Sequence, residues 1–308
     1  MSLGAIVALL IIAVIVLPPL MAGSTLKELG DGQRAGLAGE FVQLSDGVVH
    51  YTLEGPVDGE VVVLVHGFAT PAFVWRQTAS ALAAGGFRVV AYDHFGRGLS
   101  DRPRVNYDVD LFDRQLEGLI RELGPRVPVN LVGYSMGGAI ATVFAGRHPR
   151  LVKRVVLVAP AGYSAHLPAS ARLMRLPLLG DWLMAVLGRR SMLKVLGRQA
   201  SEPGAPADFA ERFKEQMEYR GFLRALASTL RHYPLDDLAW AYEKLGLLDK
   251  PVLLVWGEED EIVPFEGSRR LLAAVPSAEF HAVAGARHSL PFTRPHVLNP
   301  LLAAFLGR

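Results

Sequence analysis

The 308-residue chain is 51% hydrophobic and 20% charged, and it contains no cysteine. That apolar content excludes intrinsic disorder and suffices for a sizeable core. The missing thiols exclude a disulfide scaffold, a thiolate metal centre, an iron–sulfur cluster and a cysteine nucleophile, while 32 Lys+Arg against 30 Asp+Glu is too even for a nucleic-acid footprint across the whole chain.

The mean hydropathy of +0.26 is high for a soluble enzyme, and the first segment helps to explain it. Ala5 to Leu17 is unbroken apolar sequence, and no charged side chain precedes Lys27. As a helix, Leu3 to Ala22 would span about 30 Å, the thickness of a bilayer's hydrocarbon core. Pro18 and Pro19 stand where they would end or kink it. Residues 1–23 are therefore expected to form a retained transmembrane anchor. A cleaved signal peptide fits less well, because the apolar stretch is long and no Lys or Arg precedes it. Orientation is weakly specified, since the charges after the run (Lys27, Glu28, Asp31, Arg34) are mixed. The working expectation is a single-pass membrane protein with its folded domain on the extracytoplasmic, periplasmic side. The segment also offers a place for two copies to pair as a homodimer, although it holds no G-x-x-x-G.

Residues 24–40 are Gly-rich and polar and read as a juxtamembrane linker. Strand patterns follow at Phe41–Leu44, Val48–Glu54, Val61–Val65, Arg88–Tyr92, Val129–Val132, Arg154–Val158, Val252–Trp256 and Glu279–Val283. Helical patterns lie between them near Trp75–Ala84, Leu111–Leu123, Gly137–Arg147, Glu266–Ala274 and His296–Leu306. Such alternation predicts an α/β fold, a mostly parallel sheet with helices on both faces and ligands beyond the strands' carboxyl ends. The alternation breaks between Ala161 and Pro234, which carries eleven Lys/Arg against six Asp/Glu. The predicted organisation is a core of residues 41–160 and 236–308 with a helical cap at 161–235. The apolar and basic mixture from Leu173 to Met184 reads first as an amphipathic cap helix packed on the core. A second reading is a surface that meets anionic lipid headgroups.

Gly133-Tyr134-Ser135-Met136-Gly137 is a G-x-S-x-G between a strand and a helix, a context that would expose the Ser135 hydroxyl above the sheet. A serine needs a base, and His288, on the loop after the last strand, is placed to supply it. His281 falls inside that strand and His296 opens the last helix. A carboxylate should hold the imidazole, and Asp260 in Gly257-Glu258-Glu259-Asp260-Glu261 is the best candidate, with Glu258 and Glu259 as alternatives. No histidine lies at helical or turn spacing from this acidic cluster, which argues against a metal site. Two amides should hold a developing oxyanion: Met136, after the serine, and Phe68, in the loop His66-Gly67-Phe68 after the strand Val61–Val65. His66 reads as a structural hydrogen-bonding residue. Asp93-His94-Phe95-Gly96-Arg97-Gly98 lacks the spacing of a dinucleotide loop and reads as a tight loop near the site.

Taken together, H-G-F, D-H-F-G-R-G-L-S-D-R-P, G-Y-S-M-G-G, W-G-E-E-D-E-I-V-P and the late histidine resemble the α/β-hydrolase superfamily from about Phe41 to the C-terminus. The resemblance implies an eight-stranded sheet, a cap after the sixth strand, a Ser135–His288–Asp260 triad and no cofactor. Ser135 at the elbow argues against epoxide hydrolases and haloalkane dehalogenases, which carry Asp there. Meta-cleavage-product hydrolases have similar elbows but typically Trp after the histidine, where this chain has Ser289. Monoacylglycerol lipases and lysophospholipases with an N-terminal membrane helix look closer. The implied activity is hydrolysis of a lipid or small ester at a membrane bilayer, with no nucleic-acid partner. The alternatives are a C–C bond hydrolase and a non-catalytic ligand receptor on the same scaffold.

Overall fold

A computed structural model describes residues 2–124, 127–163 and 169–308. Eight strands form one sheet: β1 (Glu40–Leu44), β2 (Gly47–Glu54), β3 (Val61–Val65), β4 (Arg88–Tyr92), β5 (Val129–Tyr134), β6 (Val152–Val158), β7 (Val252–Gly257) and β8 (Glu279–Val283). Their order is β1-β2-β4-β3-β5-β6-β7-β8. The β1–β2 and β2–β4 pairings are antiparallel, and all the others are parallel. Every residue of β3, β5 and β7 is buried, as expected for central strands covered on both faces. β8, at the edge, is mostly half-exposed. β5 runs two residues further than its apolar pattern, because Gly133 and Tyr134 still pair with Leu157 and Val158.

The helices Arg76–Ala84, Val109–Glu122, Met136–Arg147, Gly267–Ala274 and Pro295–Leu306 flank the sheet. The helix Met136–Arg147 is buried along nearly its whole length, from Met136 to Gly146. Between β6 and β7 the described chain is helical, at Ala169–Met174, Leu179–Ala200, Phe209–Gln216 and Phe222–His232. A further helix, Ala239–Gly246, was not foreseen from the sequence pattern.

The N-terminal segment departs from the expected single apolar helix. It consists of α-helix Leu3–Ile11, a π-helical stretch Ile12–Val16 and α-helix Leu17–Ser24. No helix among the described residues is long and apolar enough to cross a membrane. The prolines give the reason. Pro18 and Pro19 carry no N–H, so the carbonyls of Val14 and Ile15 lose their α-helical donors, and both residues lie in the π-helical stretch that interrupts the α-helix. The chain then resumes α-helix through both prolines and runs to Ser24.

Residues 24–40, expected as a juxtamembrane linker, make specific contacts with the folded body. Lys27 forms a parallel bridge with Tyr219 in the cap, and Arg34 is buried, donating to the Leu99 carbonyl and pairing with Asp101. A polar stretch is thus held along the folded body by contacts distant in sequence.

Candidate active site

β5 ends in a sharp turn. Ser135 has φ 55° and ψ −120°, a strained conformation for a non-glycine residue, and the helix Met136–Arg147 starts immediately after it. The glycines around it have no room for a side chain. A Cβ on Gly133 would collide with the Gly137 carbonyl, and one on Gly137 with the Val65 carbonyl. A Cβ on Gly138 would come within 2.7 Å of Pro160. The close packing of the turn against β3 and Pro160 fixes the backbone that carries the serine.

Three loops from three strands meet at this serine. His288, after β8, places Nε2 3.0 Å from Ser135 Oγ and Nδ1 2.7 Å from Asp260 Oδ2. The other oxygen of Asp260, after β7, accepts the Ile262 and Val263 amides at 2.9 and 2.8 Å. With both carboxylate oxygens engaged, Asp260 cannot rotate freely, and its contact with Nδ1 leaves Nε2 facing the hydroxyl. Glu258 and Glu259, the alternatives, are exposed. His281 bonds to Glu279 on β8 itself, and His296 is exposed on the last helix. Ser135, His288 and Asp260 are all buried, at 8%, 5% and 5% exposure, and the Tyr134 ring lies 5.0 Å from the imidazole.

The loop after β3 flanks the serine. A Cβ on Gly67 would lie 3.4 Å from the Cβ of Ser135, so the Gly67–Phe68 backbone borders the nucleophile. Met136 is the first residue of its helix, where the amide has no carbonyl four residues back within the helix. Both amides suggested by the sequence therefore belong to backbone beside Ser135.

His66 serves the loop. Its Nε2 accepts the His94 amide at 2.9 Å, so Nδ1 carries the proton and donates to the Gly67 carbonyl at 2.8 Å. Burial and the nearby His94 ring hold its pKa well below the ordinary histidine range, which keeps it neutral. Burial likewise pushes His94 down, to about 3.

Arg97 is the residue the sequence did not single out. It is fully buried, with its guanidinium packed against the rings of Phe68, Tyr107 and Phe112 at 5.5–5.7 Å. It donates to the carbonyls of Phe68 and Phe95 and, in the cap, to Thr229 Oγ1 at 2.8 Å. Burial pulls its pKa down to about 9, so it remains a cation at neutral pH. Gln216 of the cap makes a second tie, donating to the Ala69 carbonyl and accepting the Gly98 amide. The loop holding Phe68 is thus bonded to both the core and the cap. The only available signal was Gly96-Arg97-Gly98, where glycines clear space around a long side chain.

Asp93, at the end of β4, organises the next loop. It accepts His50 Nδ1 at 2.7 Å and the amides of Ala72 and Leu99 at 2.8 and 2.9 Å. Burial alone would raise its pKa, but His50 and these amides outweigh it and hold the carboxyl below its ordinary value. A cavity of about 840 Å³ runs between the long cap helix and the loops of Asp260 and His288, lined by Lys194, Arg198, Glu202, Glu259, Glu261 and Arg287 among others. Among the described residues, no group of His, Asp or Glu is arranged to hold a metal ion.

A family model described as the alpha/beta hydrolase fold matches residues 60–295. A 2-hydroxy-6-oxononadienedioate/2-hydroxy-6-oxononatrienedioate hydrolase from Paraburkholderia phymatum is 30% identical over 270 residues, covering 84% of this chain and 91% of its own. A cis-3-alkyl-4-alkyloxetan-2-one decarboxylase from Xanthomonas campestris pv. campestris is 29% identical over 286 residues, covering 84% and 92%. Among solved structures, a membrane phospholipase A described as a bacterial virulence factor superposes with a TM-score of 0.70 at 22% identity, over 99% of this chain and 97% of its own. The family match spans most of the sheet and all three loops at Ser135, so the chain belongs to the α/β-hydrolase family and is an enzyme of the serine hydrolase superfamily.

Proposed function

We propose that this enzyme hydrolyses lipid acyl esters through an acyl-enzyme on Ser135. The observation that carries the reading is His288 standing between Ser135 Oγ at 3.0 Å and Asp260 Oδ2 at 2.7 Å. His288 takes the hydroxyl proton as Oγ attacks the ester carbonyl, and Asp260 stabilises the imidazolium that forms. The Phe68 and Met136 amides receive the negative charge on the carbonyl oxygen, with the helix behind Met136 adding its dipole. His288 then protonates the departing alcohol. Water, deprotonated by the same imidazole, releases the carboxylic acid and restores Ser135.

The lipid part of the reading rests on exposed apolar surface. Leu3, Val14, Ile15, Leu20 and Met21 of the N-terminal segment are all more than half exposed, and Leu178 at the start of the long cap helix is 84% exposed. Side chains of this kind in quantity favour a bilayer surface over water. We therefore propose that the N-terminal segment attaches the enzyme to a membrane.

C–C bond hydrolysis of a dienoate is the second reading, favoured by the 30% identity to the Paraburkholderia hydrolase. A panel of p-nitrophenyl esters, monoacylglycerols, lysophospholipids and one ring-cleavage dienoate, run beside Ser135→Ala, separates the two. Serine-dependent release of fatty acid supports the lipid esterase. Serine-dependent dienoate cleavage with no turnover of any ester replaces it with the second reading.

A further inference from the structure

A second cavity, of about 560 Å³, lies where the N-terminal segment, the cap and the loop Arg104–Asn106 meet. None of its lining residues belongs to the loops that carry Ser135, Asp260 or His288. Its volume is within the range of small-molecule sites. Pro19 and Leu26 form one wall, and Met184, Met217, Phe222 and Leu223 of the cap form the other, so the interior is largely apolar.

The N-terminal wall is fastened in place. Pro19 has no N–H to offer the Ile15 carbonyl, and the indole N–H of Trp182, in the cap, donates to that carbonyl at 3.0 Å. Beyond the helix, the Lys27 amide donates to the Glu218 carbonyl and the Arg220 amide to the Lys27 carbonyl, both at 2.8 Å. The Lys27–Glu218 and Arg220–Glu28 ion pairs close the same seam.

Charge at this cavity is one-sided. Arg231 is neutralised by Asp181 at 2.9 Å. Arg224 donates to the backbone carbonyls of Arg102 and Pro103, and Arg104 is exposed. Among the described residues, neither Arg104 nor Arg224 has a carboxylate within 4.0 Å, although both line the cavity. An inorganic anion would satisfy the arginines but leave the apolar walls in water. A neutral lipid would cover the walls but leave two cations unmatched.

We propose that this cavity binds a single-chain anionic amphiphile, its chain against Leu26, Met184, Met217 and Phe222 and its head between Arg104 and Arg224. Because the N-terminal segment supplies one wall, an occupant ties that segment to the cap, at a distance from the hydrolytic centre. The test uses the full chain carrying Ser135→Ala, so that the lysolipid is not turned over, in nonionic-detergent micelles with laurate as the probe, dodecanol as its neutral chain-matched control, and lauroyl lysophosphatidylglycerol as the phosphate-headed counterpart. Saturable binding of laurate or the lysolipid that depends on the cavity residues is expected, with the tighter of the two identifying the head that the arginines prefer. Dodecanol should bind at least about tenfold more weakly. Ala185→Phe, which fills the cavity, and Arg104→Glu, which reverses an exposed charge, should each weaken anionic binding by about tenfold or more, with circular dichroism and the unfolding midpoint confirming that each variant is folded. Should Ala185→Phe fail to fold, Arg104→Glu carries the test. Binding that both folded variants leave unchanged, or dodecanol binding as tightly as laurate, would overturn the proposal.

Discussion

The carboxyl edge of the sheet and the seam between the N-terminal segment and the cap are built on different terms. At the sheet edge each position is held from several sides. Gly133, Gly137 and Gly138 are pressed against neighbouring backbone, both oxygens of Asp260 are occupied, and Arg97 and Gln216 bind the Phe68 loop to core and cap together. At the seam a few directional bonds and two ion pairs on exposed side chains hold a helix whose apolar surface stays largely uncovered. The first arrangement preorganises groups for chemistry, which rewards sub-ångström placement. The second is of the low-stability kind that a bilayer or an amphiphile can rearrange at little cost. The difference teaches that precision and responsiveness occupy separate parts of the molecule, with the cap joined to both.

Perturbing the rigid region should give the largest effects. Ser135→Ala is expected to lower kcat by about 10⁴- to 10⁶-fold while the unfolding midpoint barely moves. A fluorophosphonate label that attaches to the wild type and not to the variant checks the same point. Retention of full activity would remove Ser135 from the chemistry.

Asp93→Ala comes next, and it acts on folding. Removing one partner of a buried ionic pair leaves the other unmatched, at a cost of about 3–5 kcal/mol. Denaturant unfolding of the variant beside the wild type measures it. The pair also predicts a pH window. Burial would lower the pKa of His50, but Asp93 outweighs burial and raises it, so its contribution is complete below about pH 6.5 and declines as pH rises through the raised value. The pKa of Asp93 is lowered, so its contribution is complete above about pH 4 and is lost as pH falls through the lowered value. The coupling energy from a double-mutant cycle over Asp93 and His50 should therefore be flat between these limits and decline on both sides. A coupling that ignores pH would mean the two are joined by a neutral hydrogen bond.

Gln216→Ala should cost less, about 1–3 kcal/mol, by leaving the Gly98 amide and the Ala69 carbonyl without their partner. Its informative readout is kinetic. If the cap helps to hold the oxyanion loop, kcat falls while KM for a short soluble ester stays within about twofold. A change confined to KM would show that Gln216 acts on substrate binding instead.

Much of this was legible in the sequence because the chemistry is local. β3, β4 and β8 have the ends that their residues suggest, and Ser135, Asp260 and His288 stand out because each follows a strand in chain order. What stayed hidden depends on partners far along the chain. Arg97 has no periodic signal, since a buried arginine between glycines is defined by Phe68, Thr229 and three rings. Arg34 reads as part of a polar juxtamembrane linker because its partner Asp101 lies 67 residues away. Pro18 and Pro19 signal an interruption of the apolar helix, but side-chain hydropathy does not place the π stretch before them or show the α-helix continuing through them.

The smallest predicted effect tests the seam itself. Trp182→Phe keeps an aromatic ring of related shape and removes the indole N–H that donates to the Ile15 carbonyl. At an exposed position water can replace that bond, so global stability should change by no more than about 1 kcal/mol. The local consequence is larger than the global one, because the carbonyl that Pro19 leaves without its α-helical donor then loses its tie to the cap. Amide exchange across Leu17–Ser24 should therefore accelerate, while exchange in β5 and the helix Met136–Arg147 stays as it was. If protection in Leu17–Ser24 is unchanged, apolar packing against the long cap helix holds the segment, and the contrast between the two regions is one of degree.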